Sequence, residues 1–252
     1  MVKQVDGSVH RIWYEEPELW AQEQDSRVAE EGAFLDEVFQ EHNLRSVLDA
    51  GCGAGSHCNY LQQRGYVVSG FDLNEKLVSF AKKHYPKIHF FVANQTTYSI
   101  KEPVDAIYSL CTVLSYAITN EEVFQTLKNH YNSLKEGGLL VISTFNPIVF
   151  IDKVTYLHEK KDATNALGYY AIRKYSVDES RQLSIDEATF YDEKTGNIIS
   201  SDKSLKRMLF PQEIKFFLEQ AGFKVLSMNS GFDKNHTILD GHYMTIIAQK
   251  TN

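Results

Sequence analysis

Three glycines stand at alternate positions, Gly51, Gly53 and Gly55, shortly after the apolar pair Val47-Leu48. Glycine accepts a positive φ and has no Cβ, so a ligand can approach such a turn closely. The residues after the turn predict a helix, and the first N–H groups of a helix are free to bind a ligand. The turn is therefore predicted to hold a nucleotide.

The spacing of the glycines separates two classes of nucleotide ligand. A dinucleotide site has the pattern G-x-G-x-x-G, in which the third glycine packs the helix against the strand. Counted from Gly51, that third position holds Ser56, so the pattern fails. Asp49 precedes the turn, and a carboxylate there would repel a pyrophosphate but attract a positively charged ligand. An NAD(P) oxidoreductase is therefore a distant alternative.

Strands and helices alternate from residue 45 onwards, and they predict the framework that positions the turn. A leading helix is expected over 26–42. Seven apolar strands separated by helices are expected at 46–49, 66–71, 88–93, 104–110, 139–145, 223–228 and 243–248. This order is typical of an α/β fold: a Rossmann-like, seven-stranded, mostly parallel sheet with helices on both faces. Residues 148–168 predict a loop or a short helix. Alternating segments at 169–177, 182–192 and 198–210 predict an antiparallel β insertion after strand five.

The segment Asp49-Ala50-Gly51-Cys52-Gly53-Ala54-Gly55 resembles the first motif of the class I S-adenosylmethionine (SAM)-dependent methyltransferases. The resemblance extends over almost the whole chain and implies SAM as the cofactor. It implies that Asp72, at the end of strand two, accepts hydrogen bonds from both ribose hydroxyls. Asn94 stands where the family usually has an aspartate that accepts from the adenine amino group, and Leu110 where a residue packs on adenine or on the methionine chain. The other cofactor contacts are expected at Ala50, Cys52, His57, Leu73 and Gln95.

The charge and the motifs argue against a nucleic-acid substrate. The net charge is −7 and the chain has no long run of Lys and Arg. Nucleic-acid amino methyltransferases of this fold carry Asn/Asp-Pro-Pro-Tyr/Phe after strand four, whereas residues 109–116 are Ser-Leu-Cys-Thr-Val-Leu-Ser-Tyr. The expected partner is a small-molecule acceptor.

Beyond the cofactor motifs, the chain is similar to small-molecule N-methyltransferases. It resembles those that dimethylate aminodeoxysugars and, in layout, glycine or sarcosine N-methyltransferases. The resemblance implies methyl transfer to an amine. Tyr14 and Tyr116 are the hypothesised catalytic residues, because a phenol hydroxyl can hydrogen-bond an amine and orient its lone pair; both could instead be packing residues. An O-methyltransferase acting on a natural-product hydroxyl and a non-catalytic SAM-binding protein remain alternatives.

The charged residues of the insertion suggest two different roles. Arg173, Asp186 and Glu187 are expected to face solvent, although they could meet a charged acceptor. A nucleotide-linked sugar needs basic groups for its diphosphate, and four are available: Arg173, Lys174, Lys206 and Arg207.

The remaining features predict location and domain organisation. Three cysteines have no metal-like spacing, and no apolar run reaches the ~18 residues of a membrane span, so a cytoplasmic protein without a metal is expected. Three parts are expected: a helical lid segment (1–42), a SAM-binding core (43–147 and 205–252), and the insertion covering the acceptor site (148–204). The oligomeric state stays open between monomer and homodimer.

Overall fold

The computed structural model describes residues 16–154, 160–164 and 168–251 of the chain. In chain order, eleven strands lie within these ranges: β1 (Ser46–Ala50), β2 (Val67–Asp72), β3 (His89–Val92), β4 (Val104–Ser109), β5 (Leu134–Phe145), β6 (Lys160–Thr164), β7 (Tyr169–Asp178), β8 (Leu183–Asp192), β9 (Ile198–Arg207), β10 (Phe223–Ser230) and β11 (Tyr243–Lys250). The helices there are α1 (Pro17–Glu41), α2 (Ser56–Gln63), α3 (Glu75–His84), α4 (Asn120–Ser133), α5 (Pro147–Val154) and α6 (Pro211–Ala221), with a 3₁₀ turn at Val113–Tyr116.

Seven strands form one sheet in the order β3-β2-β1-β4-β5-β11-β10. The pairs among β1 to β5 are parallel, whereas β11 runs antiparallel to both β5 and β10. Helices α1, α2 and α3 pack on one face, and α4 and α6 pack on the other, each over a buried apolar cluster. The predicted seven-stranded, mostly parallel sheet with helices on both faces is confirmed.

The antiparallel insertion is also confirmed, and it has one more strand than expected. Strands β6 to β9 form a second sheet in chain order. The additional strand, β6, has the sequence Lys-Lys-Asp-Ala-Thr, which lacks the alternation of apolar and polar residues that marks a half-buried strand. It pairs along one side with β7, and lysines are common on such edge strands because they discourage pairing with other chains.

The leading helix begins at Pro17, nine residues before the predicted start at Ser26. Proline is favoured in the first turn, where its fixed φ suits the helix and its missing N–H breaks no bond. Two inward-facing positions of α1 are polar and interrupt its apolar period: Gln24, in the first half, and Glu31, just past the middle, are each 5% exposed. These two side chains face the functional site described below.

Strand β5 also begins earlier than predicted, at Leu134 instead of residue 139. The pair Gly137-Gly138 favours a turn, but the strand continues through it with an irregular register opposite Val104 and Ala106. Gly137 has a φ of +74°, which is typical of a β-bulge.

None of the described helices combines the length and apolar character that a membrane crossing requires.

Candidate active site at the carboxyl ends of the parallel strands

A cleft opens where neighbouring strands β1 and β4 end. The chain leaves β1 towards α2 on one face of the sheet and leaves β4 towards α4 on the other, so the two connections diverge. Ligands of α/β proteins bind at such a switch point. The cleft holds about 490 Å³ of empty space including its open mouth. Six predicted site residues line it: Asp49, Gly51, His57, Asp72, Leu110 and Tyr116.

The glycine turn leaves no room for side chains. Gly51 has a φ of +92°, and a Cβ there would lie 2.4 Å from Val113 Cγ2. Gly53 has a φ of +55°, and its Cβ would lie 2.4 Å from Trp20 Nε1. The N–H groups of Gly51 and Cys52 both donate to the Phe71 carbonyl, at 2.8 and 2.9 Å. The turn is therefore fixed to the end of β2, and its glycines let Val113 and Trp20 pack directly against the backbone.

Asp72 joins the glycine turn to the end of β2. Its Oδ2 accepts from the Gly53 N–H at 2.9 Å, and its Oδ1 accepts from the Asn74 N–H at 2.8 Å. Burial raises the pKa of this carboxyl, while these two N–H groups act in the opposite direction. A carboxylate has about four acceptor sites, so both oxygens keep capacity for a ligand.

Asp49 is the second carboxylate of the cleft and is 3% exposed. Burial raises its pKa to about 7; the charge of His57 and hydrogen bonds from the Cys58 thiol and Tyr108 act in the opposite direction. The thiol of Cys58 lies 3.4 Å from Asp49 Oδ2. A buried carboxyl of this kind gains its charge most readily when a cation comes close.

Helix α1 contributes a buried polar group to the wall opposite the strands. Glu31 Oε2 lies 2.7 Å from His57 Nε2, and Arg27 Nη1 lies 2.9 Å from Cys111 Sγ. Cys111 and Thr112 have φ values of +53° and +66°, a left-handed conformation that is strained for residues other than glycine. The chain therefore turns sharply after β4 and presents the Cys111 side chain to the cleft.

Gln24 fastens α1 to the glycine turn through both ends of its amide. Its Nε2 donates to the Cys52 carbonyl at 3.2 Å, and its Oε1 accepts from the Ala54 N–H at 2.9 Å. Gln24 also lines the cleft. The position of α1 and the shape of the turn are thus coupled.

The 3₁₀ turn brings Tyr116 between the cleft and the second sheet. Its ring lies 5.4 Å from Lys206 Nζ on β9. Burial raises the pKa of Tyr116 above its usual range, and Ser204 acts in the opposite direction. The phenol therefore stays protonated at neutral pH.

The other predicted site residues lie beside the cleft or form its floor. Ala50, Cys52 and Gly53 belong to β1 and the turn. Leu73 is 68% exposed. Asn94 Oδ1 accepts from the N–H and the hydroxyl of Thr96, both at 2.9 Å. Gln95 Nε2 donates to the Val113 carbonyl at 3.0 Å and so supports the cleft wall. Tyr14 lies outside the described residues.

Residues 47–138 match the family model of a methyltransferase domain. A putative methyltransferase of Geobacillus sp. is 26% identical over 204 residues, which is 77% of this chain and 80% of that protein. The protein is a SAM-dependent methyltransferase. A dTDP-4-amino-2,3,4,6-tetradeoxy-D-glucose N,N-dimethyltransferase from Saccharopolyspora spinosa is 24% identical over 71% of this methyltransferase and 72% of its own length. The solved structure of the sugar N-methyltransferase KedS8 from Streptoalloteichus has the same fold, with a TM-score of 0.74 at 18% identity, covering 100% of this chain and 96% of that one.

The cofactor of this methyltransferase is SAM, and the cleft suits its chemistry. SAM carries a sulfonium, an ammonium and a pair of vicinal hydroxyls. The cleft offers two carboxylates, Asp49 and Asp72, beside a turn in which no Cβ blocks a close approach. Carboxylates complement both the cations and the hydroxyl pair.

The contribution of α1 to the cleft was not predicted from the sequence. Gln24, Arg27 and Glu31 lie at helical spacing, and all three face the cleft or its polar wall. A polar stripe at that spacing on an otherwise amphipathic helix was the available signal.

Replacing Gln24 with alanine is expected to weaken SAM binding about tenfold, because two hydrogen bonds between α1 and the glycine turn are lost. Isothermal titration calorimetry measures the change. Gln40→Ala is the matched control: Gln40 lies on the same helix, is exposed and bonds to Asp36. Equal SAM affinity for Gln24→Ala and the control would show that the two Gln24 hydrogen bonds have no effect on SAM binding.

Proposed function

We propose that the methyltransferase transfers the methyl group of SAM to the nitrogen of a small-molecule amine. The observation that carries this proposal is the position of Tyr116, which lines the cofactor cleft and contacts the second sheet on its other side. Two similar proteins, the Saccharopolyspora aminosugar N,N-dimethyltransferase and the rabbit glycine N-methyltransferase, act on nitrogen by their names. The proposal extends that acceptor class to this chain.

The cofactor is proposed to lie across the strand ends. Asp72 would accept from the ribose hydroxyls, Asp49 would face the positively charged methionine end, and Leu110 would pack on the adenine or the methionine chain. The closeness of Asp49 and Asp72 to the glycine turn supports this arrangement. Asn94 is proposed to contact the adenine amino group, and for that its oxygen has to release the Thr96 hydroxyl.

When bound, SAM supplies an electrophilic methyl carbon: the acceptor lone pair forms the new bond to it, the carbon–sulfur electron pair returns to sulfur, and the nitrogen sheds a proton. The protein has to align the nitrogen and keep water out. Tyr116 is proposed to do the aligning through its hydroxyl. Because burial raises the pKa of that phenol, it serves as a hydrogen-bonding group and leaves the proton to water or a carboxylate. Tyr14 stays a hypothesised second acceptor-site residue.

Replacing Tyr116 with phenylalanine is expected to lower kcat about 10- to 100-fold and to change SAM affinity by less than about twofold, because the ring remains and only the orienting hydroxyl is lost. Steady-state assays of S-adenosylhomocysteine release give kcat, and calorimetry gives the affinity. Tyr131→Phe is the control, since that hydroxyl donates to the Thr251 carbonyl away from the cleft. An unchanged kcat for Tyr116→Phe would remove Tyr116 from the proposed mechanism.

The proposal itself is tested with matched acceptors that differ at one atom. Amines and the corresponding alcohols are incubated with the protein and SAM, and mass spectrometry detects the methylated product. Methylation confined to the amines supports N-methyl transfer. Methylation of the alcohols would favour the O-methyltransferase alternative. Tight SAM binding without product from any acceptor would favour a non-catalytic SAM-binding protein.

A further inference from the structure

Lys206 is a half-buried lysine of the second sheet. It lies on β9, and in the part of the chain that the structure describes no carboxylate stands within 4.0 Å of its ammonium and no hydrogen bond involves it. Burial lowers its pKa; Asp186 acts in the opposite direction, and Arg173 reinforces the effect of burial. A buried ammonium is normally paired, because water no longer solvates it fully.

The neighbouring basic side chains differ from Lys206 in this respect. Arg173 Nη1 lies 3.0 Å from Asp186 Oδ2, so this pair neutralises itself. Arg207 forms a close ion pair with Glu213 and donates to the Arg181 carbonyl at 2.6 Å. Lys203 Nζ lies 3.0 Å from Glu187 Oε1 on the exposed face of the sheet. Among these four basic side chains, Lys206 is the one without an ion pair to a described residue.

That charge stands one aromatic ring away from the cofactor cleft. The Lys206 ammonium lies 5.4 Å from the centroid of the Tyr116 ring, and Tyr116 lines the cleft. An oxyanion attracts an ammonium more strongly than an aromatic ring does. The Tyr116 ring therefore does not take the place of a counter-ion. If the amine of an acceptor lies at Tyr116, a second group of the same molecule, several ångströms from the amine, can reach Lys206.

We propose that Lys206 binds an oxyanion, a carboxylate or a phosphate, of the methyl acceptor, which makes the substrate an anionic amine. This inference rests on the proposed N-methyl transfer for the identity of the molecule that carries the anion. Under this inference a residue of β9 selects the acceptor, and Tyr116 lies between the acceptor's anion and its reacting nitrogen.

The test compares Lys206→Gln with Lys203→Gln, a control that removes an exposed lysine from the same strand. Each variant and the wild type, with SAM present, is titrated with sodium acetate and with inorganic phosphate at constant ionic strength, and thermal stability is followed. Acetate, phosphate or both are expected to stabilise the wild type and Lys203→Gln but not Lys206→Gln. The more effective ion identifies the oxyanion class. Equal responses in the wild type and Lys206→Gln would overturn the inference.

A second measurement uses amine pairs with and without the anion: glycine against glycinamide, and glucosamine 6-phosphate against glucosamine. Where a pair is methylated, Lys206→Gln is expected to lower kcat/KM about 10- to 100-fold for the anionic member and less than about threefold for the neutral one. Equal losses for both members would show a structural role and contradict the inference. If no amine is methylated, the proposed function fails, and the ion titrations still decide whether Lys206 binds an oxyanion.

Discussion

Replacing Asp72 with asparagine is expected to weaken SAM binding about 100-fold or more while the protein remains folded. Asp72 accepts from the N–H groups of Gly53 and Asn74 with different oxygens. Asparagine would turn an NH₂ group towards one of these donors, which misplaces the turn, and it removes the charge proposed to bind the ribose hydroxyls. A lost charge-assisted hydrogen bond costs about 1.5–3 kcal/mol, and each 1.4 kcal/mol is about tenfold in affinity.

Asp105→Asn separates binding from stability in this experiment. Asp105 lies near the amino end of β4, opposite the cleft, where its Oδ2 accepts from the Ser46 N–H at 2.7 Å and its Oδ1 from Lys135 at 2.7 Å. Its replacement is expected to lower the free energy of unfolding and to leave the SAM dissociation constant unchanged. Calorimetry and chemical denaturation of both variants give the two quantities. If Asp72→Asn binds SAM as the wild type does, Asp72 is not the ribose-binding carboxylate.

Asp49 makes the protein without cofactor less stable as the pH rises. Burial raises the pKa of Asp49 from its ordinary value of 3.8 to about 7, so between these values the folded protein holds a proton that the unfolded chain has released. The contribution of this group to stability therefore falls as the pH increases from about 4 to about 7. Asp49→Asn does not titrate, so near pH 8 it is expected to be about 2–4 kcal/mol more stable than the wild type, and this difference should disappear near pH 4. Urea denaturation across this range measures the effect.

The same ionisation is expected to govern cofactor affinity. A positively charged ligand binds the carboxylate form, so the SAM dissociation constant of the wild type should fall as the pH rises from about 5.5 to about 7 and then level off. Asp49→Asn should bind SAM at least about tenfold more weakly near pH 7.5 and lose this pH dependence. An identical pH dependence in both proteins would assign the titration to another group.

The sequence was sufficient to predict which residues meet at the strand ends, because one topological rule determines it. In a parallel sheet the carboxyl ends of neighbouring strands meet at one edge, so Asp49 on β1 and Asp72 on β2 had to lie together. The structure brings both to the cleft with Leu110 and Tyr116. Local spacing was sufficient here because each residue is fixed by its own strand.

The parts that sequence reasoning missed depend on contacts between distant segments. Glu31 is buried because it meets His57 on another helix, and such a contact leaves no apolar period to detect. Arg173 and Asp186 were expected to face solvent, but their side chains are 16% and 18% exposed and pair on the inner face of the second sheet. Glu187, the next residue, is exposed as expected. A strand with polar residues on both faces does not reveal which face is covered.

The measurement that tests this account most directly is a crystal structure of the protein with S-adenosylhomocysteine. We expect the ribose hydroxyls to bind the Asp72 carboxylate, the amino group to lie on the Asp49 side of the glycine turn, and the sulfur to face the space beside Tyr116. An acceptor entering past Tyr116 would then meet the methyl group in line. A ligand bound away from these strand ends, or a sulfur turned away from Tyr116, would contradict the account.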